Sequence, residues 1–284
     1  MMRAIKREDA MSRAALFSSA AVVIVFVAMA GAQVAAQGNS IPNLSSADFG
    51  WQPASGLDFL PVEGKVAPVG RNLAVRQGEE RQSDAEHPNL TPWAAAKMRA
   101  ANEAVSNGHR HFMAQSRCWP GGVPNQLLFV AQPVYFIQTP NVVWIIWERD
   151  HHVRRVHLNR EHSQNVKPSW FGESVGRYEN GELVIDTIGL IEHELSVVDS
   201  YATPHSKNLH VLERWKISDD GNTLEATVTV DDPIAFKAPW SGKVQWRKAE
   251  RRLEEWVCAE NNLGYEQEFK LKEHPMPVAN RPDF

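Results

Sequence analysis

The chain has 284 residues, a formal net charge of -4 and only two cysteines. A chain of this size can bury a sizeable core, as one large domain or as a domain plus an arm. The acidic balance argues against a nucleic-acid partner, because no basic field is available to offset phosphate charge.

The first 36 residues read as a secretory signal. Arg3, Lys6, Arg7 and Arg13 form a basic n-region and residues 14–30 an apolar core. Ala30-Gly31-Ala32 or Val34-Ala35-Ala36 supplies the small-residue cleavage pattern. Met11 is a second usable start. The apolar run is short for a bilayer span and Ser18-Ser19 interrupts it, so cleavage is expected rather than retention as an anchor. Cleavage removes four basic and two acidic groups and leaves a net charge of about -6. The expected location is periplasmic or secreted, with no stable membrane insertion after cleavage. Export also permits a disulfide. A Cys118–Cys258 bridge would close a loop of ~140 residues, worth about 4–5 kcal/mol in the chain-entropy model. The alternative is two buried free thiols.

Residues 37–108 read as an irregular arm, dense in Pro, Gly, Ser, Asn and charge. One helix is predicted inside it, near 92–105. Thr91 is placed to cap it, Pro92 fits its first turn, and the run that follows is rich in Ala, Lys, Met, Arg and Glu. The globular domain spans 109–284. Short apolar runs at 127–130 and 134–138 are split by Pro133. Residues 142–147 are apolar on both faces, and 153–158 alternate. Strands at 174–178 and 183–188 flank Asn180-Gly181, which suits a type I′ turn. A second hairpin joins 209–217 to 224–230 through Asp219-Asp220-Gly221-Asn222. A last long strand is expected over 244–257, and the Pro-rich tail from Glu273 should be extended. Sequential strands joined by tight turns predict an all-β fold, an antiparallel up-and-down meander closing into a lipocalin-like barrel. A β-sandwich is the alternative.

Several long, ordered blocks run from Thr91-Pro92-Trp93-Ala94 to the C-terminus. They are Cys118-Trp119-Pro120-Gly121-Gly122-Val123-Pro124, Asn159-Arg160-Glu161-His162 and Pro168-Ser169-Trp170-Phe171-Gly172-Glu173-Ser174-Val175-Gly176. After these come Leu183-Val184-Ile185-Asp186-Thr187, Thr203-Pro204-His205-Ser206, Leu209-His210-Val211-Leu212-Glu213-Arg214-Trp215 and Cys258-Ala259-Glu260-Asn261-Asn262. In these blocks the chain resembles a family of exported, mostly uncharacterised bacterial proteins. The resemblance implies no general activity. Relatives commonly carry Glu-Gly-Asp-Thr where this chain has Glu179-Asn180-Gly181-Glu182. They often have Pro where Ser163 follows His162.

The passage 199–215 gathers the most groups able to move a proton or bind a metal: Asp199, His205, His210, Glu213 and Arg214. Strand parity divides it. His210, Leu212 and Arg214 share one face, and Val211, Glu213 and Trp215 the other, so His210 and Glu213 cannot enter one lumen from a regular strand. The catalytic expectation therefore centres on the loop residues Asp199, Tyr201 and His205, with His162 contributing from outside. Arg154 or Arg214 would hold a developing oxyanion, and His210 is a further acid–base candidate. An Arg214–carboxylate pair across the sheet is an equally good reading of Glu213 and Arg214. Asp186, if buried, needs Arg154 or a histidine as partner. In the histidine group His151, His152 and His157, His151 could cap its turn with Asp150. The chain has 10 tryptophans, most of which should be core. Trp170, Phe171, Trp144 and Trp215 are the candidates for contact with an apolar ligand.

No Gly-rich phosphate loop, Gly-x-Ser-x-Gly elbow, His-Glu-x-x-His or internal repeat occurs. No organic cofactor is therefore expected. A divalent metal remains an option through His162, His205, His210 and Glu213, although their spacing is not diagnostic. Taken together, the residues suggest a cofactor-independent exported enzyme of lyase, isomerase or hydrolase type, acting on a small aromatic or hydrophobic molecule. The alternatives are a non-catalytic carrier of a small ligand and a metal-dependent enzyme.

Overall fold

The structure is a computed structural model that describes residues 41–46, 48–73, 82–107, 114–129 and 132–261. The signal segment and the tail from Glu273 lie outside the described residues. In chain order the regular elements are β1 (Gly50–Pro53), β2 (Leu60–Pro61), α1 (Pro92–Ser106), β3 (Val134–Gln138), β4 (Val142–Trp147) and β5 (His152–Leu158). They are followed by β6 (Glu173–Glu179), β7 (Glu182–Ile188), β8 (His210–Ile217), β9 (Thr223–Asp231) and β10 (Trp240–Ala249). β3 to β10 form one continuous sheet, and β1 pairs with both β3 and β10, so nine strands close a barrel. β2 adds a short pairing at Gly242 and Lys243 of β10. No described helix is long and apolar enough to cross a membrane.

The all-β barrel expected from the strand pattern is what the chain forms, with local departures. The stretch read as an arm supplies β1, the strand that closes the barrel. The β5–β6 pair is parallel, from Val156 opposite Ser174 to Leu158 opposite Gly176, so the chain must cross between barrel ends through 159–172. Gly172 and Gly189 hold this crossover close to the exit of β7. A Cβ on Gly172 would lie 2.3 Å from the Ile188 carbonyl oxygen, and one on Gly189 2.2 Å from Val166. The strand expected at 127–130 is instead a 3-10 turn over Asn125–Leu128. β10 stops at Ala249 rather than 257, because its partner β1 begins at Gly50, opposite Ala249, and offers no ladder beyond it. The remaining predictions hold locally. Asn180 and Gly181 both adopt positive φ, 53° and 78°, as a type I′ turn requires. The Thr91 side chain accepts from Ala94 N at the start of α1, with Pro92 in the first turn. Cys118 and Cys258 form a disulfide with a Cα–Cα distance of 5.5 Å, tying the segment before β3 to the segment after β10.

Alternation along the strands fills the barrel interior with side chains. Val143, Ile145 and Trp147 of β4, Leu183 and Ile185 of β7, and Val211 and Trp215 of β8 are all buried. Trp215 stacks on Trp246 with centroids 5.0 Å apart, and Phe136 meets it edge-on at 5.3 Å. The interior also contains an ion pair. Arg154 reaches both oxygens of Glu213, from Nη1 at 3.0 Å and from Nη2 at 2.5 Å, and neither side chain has any solvent exposure. Its Nε donates to Ser174 Oγ at 3.0 Å and its Nη2 to Thr187 Oγ1 at 2.7 Å. These bonds replace the water that both charges lost.

Removing one partner would leave a buried charge alone. Glu213→Ala should therefore lower unfolding free energy by about 3–5 kcal/mol, whereas Arg154→Met with Glu213→Leu should recover most of that loss. Chemical denaturation of the three proteins checks both statements.

Candidate functional site

On the outer surface, near the ends of β6, β7 and β8, four side chains form a hydrogen-bonded row. Register explains the placement. Asp186 of β7 lies opposite Leu212 of β8, so His210 is its diagonal neighbour on the same outward face. His210 Nε2 bonds Asp186 Oδ2 at 2.9 Å, and His162 Nε2 bonds Asp186 Oδ1 at 2.8 Å. His162 arrives from the crossover before β6, and its Nδ1 faces Glu173 Oε1 at 3.2 Å. Glu173, the first residue of β6, also accepts from Ser163 N and Ser163 Oγ, each at 2.6 Å, and pairs with Arg160 at 3.2 Å.

The row is partly open to solvent. The side chains of Glu173, His162, Asp186 and His210 are 17%, 21%, 29% and 42% exposed. Burial works against ionisation of Asp186, but the bonds from His210 and His162 outweigh it and hold the carboxyl below its usual range. The same Asp186 bond raises the His210 pKa above its ordinary value against the opposing effect of burial. His210 Nδ1 has no hydrogen-bond partner among the described residues. The row can thus present one oriented imidazole nitrogen, backed by a carboxylate, to a molecule outside the barrel.

His205 has a different setting. It is buried in the β7–β8 connection, and burial lowers its pKa. Its Nδ1 faces the Ser206 carbonyl oxygen at 2.8 Å, which can only accept, so Nδ1 carries the proton. Nε2 then accepts from Ser196 Oγ at 2.8 Å. Ser206 in turn bonds Asp232 through N at 2.5 Å and Oγ at 2.9 Å, tying this connection to the one between β9 and β10. Asp199 is also buried. Its Oδ1 accepts from Tyr201 N at 2.9 Å and Thr203 N at 3.1 Å, while burial pushes its pKa up to about 6. The Tyr201 phenol is raised by burial and by its hydrogen bond to Asp58. This connection is a packed cap, and no hydrogen bond among those described joins His205, Asp199 and His162.

The other expected residues separate as follows. Arg154 belongs to the interior pair with Glu213. Arg214 faces outward and pairs with Glu182 at 2.8 Å and Glu179 at 3.4 Å, the cross-sheet arrangement foreseen as its alternative. Trp215 is core, so it is not available to a ligand. Trp144 lies outside the barrel under Arg155, 4.8 Å from its ring centroid. Phe171 stacks on Trp147 at 5.6 Å, and Trp170 packs against Trp119 and His193 at 5.7 and 5.6 Å. His151 bonds the Glu254 carbonyl rather than capping its turn. The metal ligands considered do not converge. His162 and His210 are outside, Glu213 is inside, and His205 is in the cap. Among the described residues no group of three or more His, Cys, Asp or Glu is arranged to hold a metal ion. Sequence reasoning missed Glu173 as the support of His162, and Ser196 as the partner of His205. The only signal for Glu173 was its position at a strand start after Gly172.

Two pH measurements follow. Replacing Asp186 with Asn should lower the His210 pKa from its raised value toward 6.5, as read by proton NMR titration of the ring. Asp199 titrates near 6 in the folded state against 3.8 as its ordinary value, so the folded protein binds the extra proton between these values. Stability should therefore fall as pH rises from about 4 to about 6, by ~3 kcal/mol from this group. Asp199→Asn should remove that slope in denaturation curves collected across the range.

No family model, curated protein or solved structure matches the chain.

Proposed function

We propose that the protein is an exported enzyme that works by general acid–base catalysis, with His210 as the group that exchanges the proton. The observation carrying this reading is the 2.9 Å contact between Asp186 and a half-exposed His210 whose other nitrogen is open. Asp186 raises the pKa of His210 above the ordinary histidine value, which strengthens it as a base, and the imidazolium so formed can return the proton. When Nδ1 takes a proton from substrate, the imidazolium forms against a carboxylate already in place. Asp186 fixes the ring orientation through Nε2 and needs no rearrangement to stabilise that charge. His162 holds the second oxygen of Asp186, and Glu173 holds His162. These two are positioning residues. The proton taken from one substrate atom is then returned to another, which fits elimination, isomerisation or hydrolysis of a small molecule carrying an acidic C–H or a polarised carbonyl.

The test is turnover of a panel of small aromatic esters, β-hydroxy acids and enolisable ketones, followed by mass spectrometry. His210→Ala should reduce kcat/KM by about 10²–10⁴-fold. In Asp186→Asn the acidic limb of the pH–rate profile should move to lower pH, because the base loses the carboxylate that raises its pKa. Turnover that is unchanged in both variants would sink the reading.

A further inference from the structure

The barrel wall has a seam between β5 and β6. β5 pairs with β6 only from Val156 onward, so Val153, Arg154 and Arg155 have no strand beside them on that side. The crossover covers the gap and leaves a groove of about 540 Å³. Val153, Val166 and Phe171 give it apolar walls, and Arg155, His157 and Lys167 bring positive charge. Arg155 and Lys167 are exposed, and no ion pair is formed by either among the described residues. Glu173, the one acidic residue of the lining, is already engaged by Ser163, His162 and Arg160. The pKa of His157 is lowered by burial and then by the charges of Arg160 and Arg155, which outweigh Glu173, so the groove carries an excess of positive charge. The glycine contacts at 172 and 189 fix the crossover against β7, so the groove is preformed.

We infer that this groove is a binding site for a small amphipathic carboxylate, its carboxyl group held by Arg155 and Lys167 and its apolar body lying against Phe171, Val153 and Val166. The volume is in the range of small-molecule sites, which bury an apolar body and orient it with a few polar groups. A guanidinium suits a planar carboxylate in particular, since its fork matches both oxygens. The inference does not depend on His210 being catalytic, because binding can be measured without turnover.

Calorimetric titration with benzoate, benzamide and inorganic phosphate tests it on the intact mature chain. Benzoate should bind, benzamide should bind at least about tenfold more weakly, and phosphate should not compete at equal concentration. Arg155→Gln and Lys167→Gln, both on the surface, should each weaken benzoate about tenfold at unchanged melting temperature, while His210→Ala should leave its affinity intact. Equal binding of benzoate and benzamide would overturn the inference, as would phosphate binding as tightly as benzoate, or affinity unaffected by both groove variants. Loss of benzoate binding in His210→Ala alone would place the ligand elsewhere and overturn it too. If groove binding holds but no turnover depends on His210, the acid–base proposal fails by itself.

Discussion

Alternation of side chains across β7 and β8 decides which titratable groups of these strands are buried and which face outward. Consecutive residues of a strand face opposite ways. Val211, Glu213 and Trp215 therefore turn into the barrel, while His210, Leu212 and Arg214 turn out. Glu213 enters an apolar interior and would be costly there without a cation. Arg154, inward on β5, answers it with both ends of its guanidinium. His210 stays at the surface and meets Asp186 diagonally across the β7–β8 ladder. Two titratable groups close in sequence thus have opposite fates. The fully buried pair has every strong partner in place and acts as a fixed part of the core. The outer pair keeps one nitrogen open.

Among the described residues, inward side chains pack the barrel interior. Trp215, Trp246 and Phe136 occupy the space that a lumen ligand would need. The β7–β8 connection then caps one end and contains buried hydrogen-bonded pairs, Ser196 with His205 and Ser206 with Asp232. A polar group under such a cap is held by its partners in one geometry, which favours a structural role for His205. Among the described residues, an accessible groove lies on the outside of the wall, where the crossover lies over β5 and β6.

Much of the fold was legible because period-two alternation and turn chemistry act locally. Asn180-Gly181 specifies its turn through two positive φ values, and Thr91-Pro92 specifies a helix start, whatever the rest of the chain does. β1 was not legible. Four residues ending in Pro53 carry too little alternation to announce a strand, and they become one only because β3 and β10 offer free edges on either side. The parallel junction was hidden for a related reason. Residues 159–172 contain no helix pattern, and nothing local says that the chain returns to the far end of the barrel before pairing. For the site, parity correctly split His210 from Glu213, but the partner of His210 depended on the register between β7 and β8, which no single strand encodes. The placement of His162 depended on the same crossover.

The outer row is ordered from a closed end to an open one, and this order bears on its use. Glu173 is engaged through both oxygens by Ser163, Arg160 and His162, so it has little freedom. His162 is held at both ring nitrogens, and Asp186 at both oxygens. Only His210 is tied at one atom. Each group limits the motion of the next, so the orientation of the last ring is set by contacts beginning two strands away. A catalytic base benefits from this arrangement, because the cost of orienting it is met by folding rather than at the moment of proton transfer. His210, the most exposed member, keeps its second ring nitrogen without a hydrogen-bond partner among the described residues. The asymmetry of the row, more than its composition, is therefore what distinguishes it from the interior pair of Arg154 and Glu213.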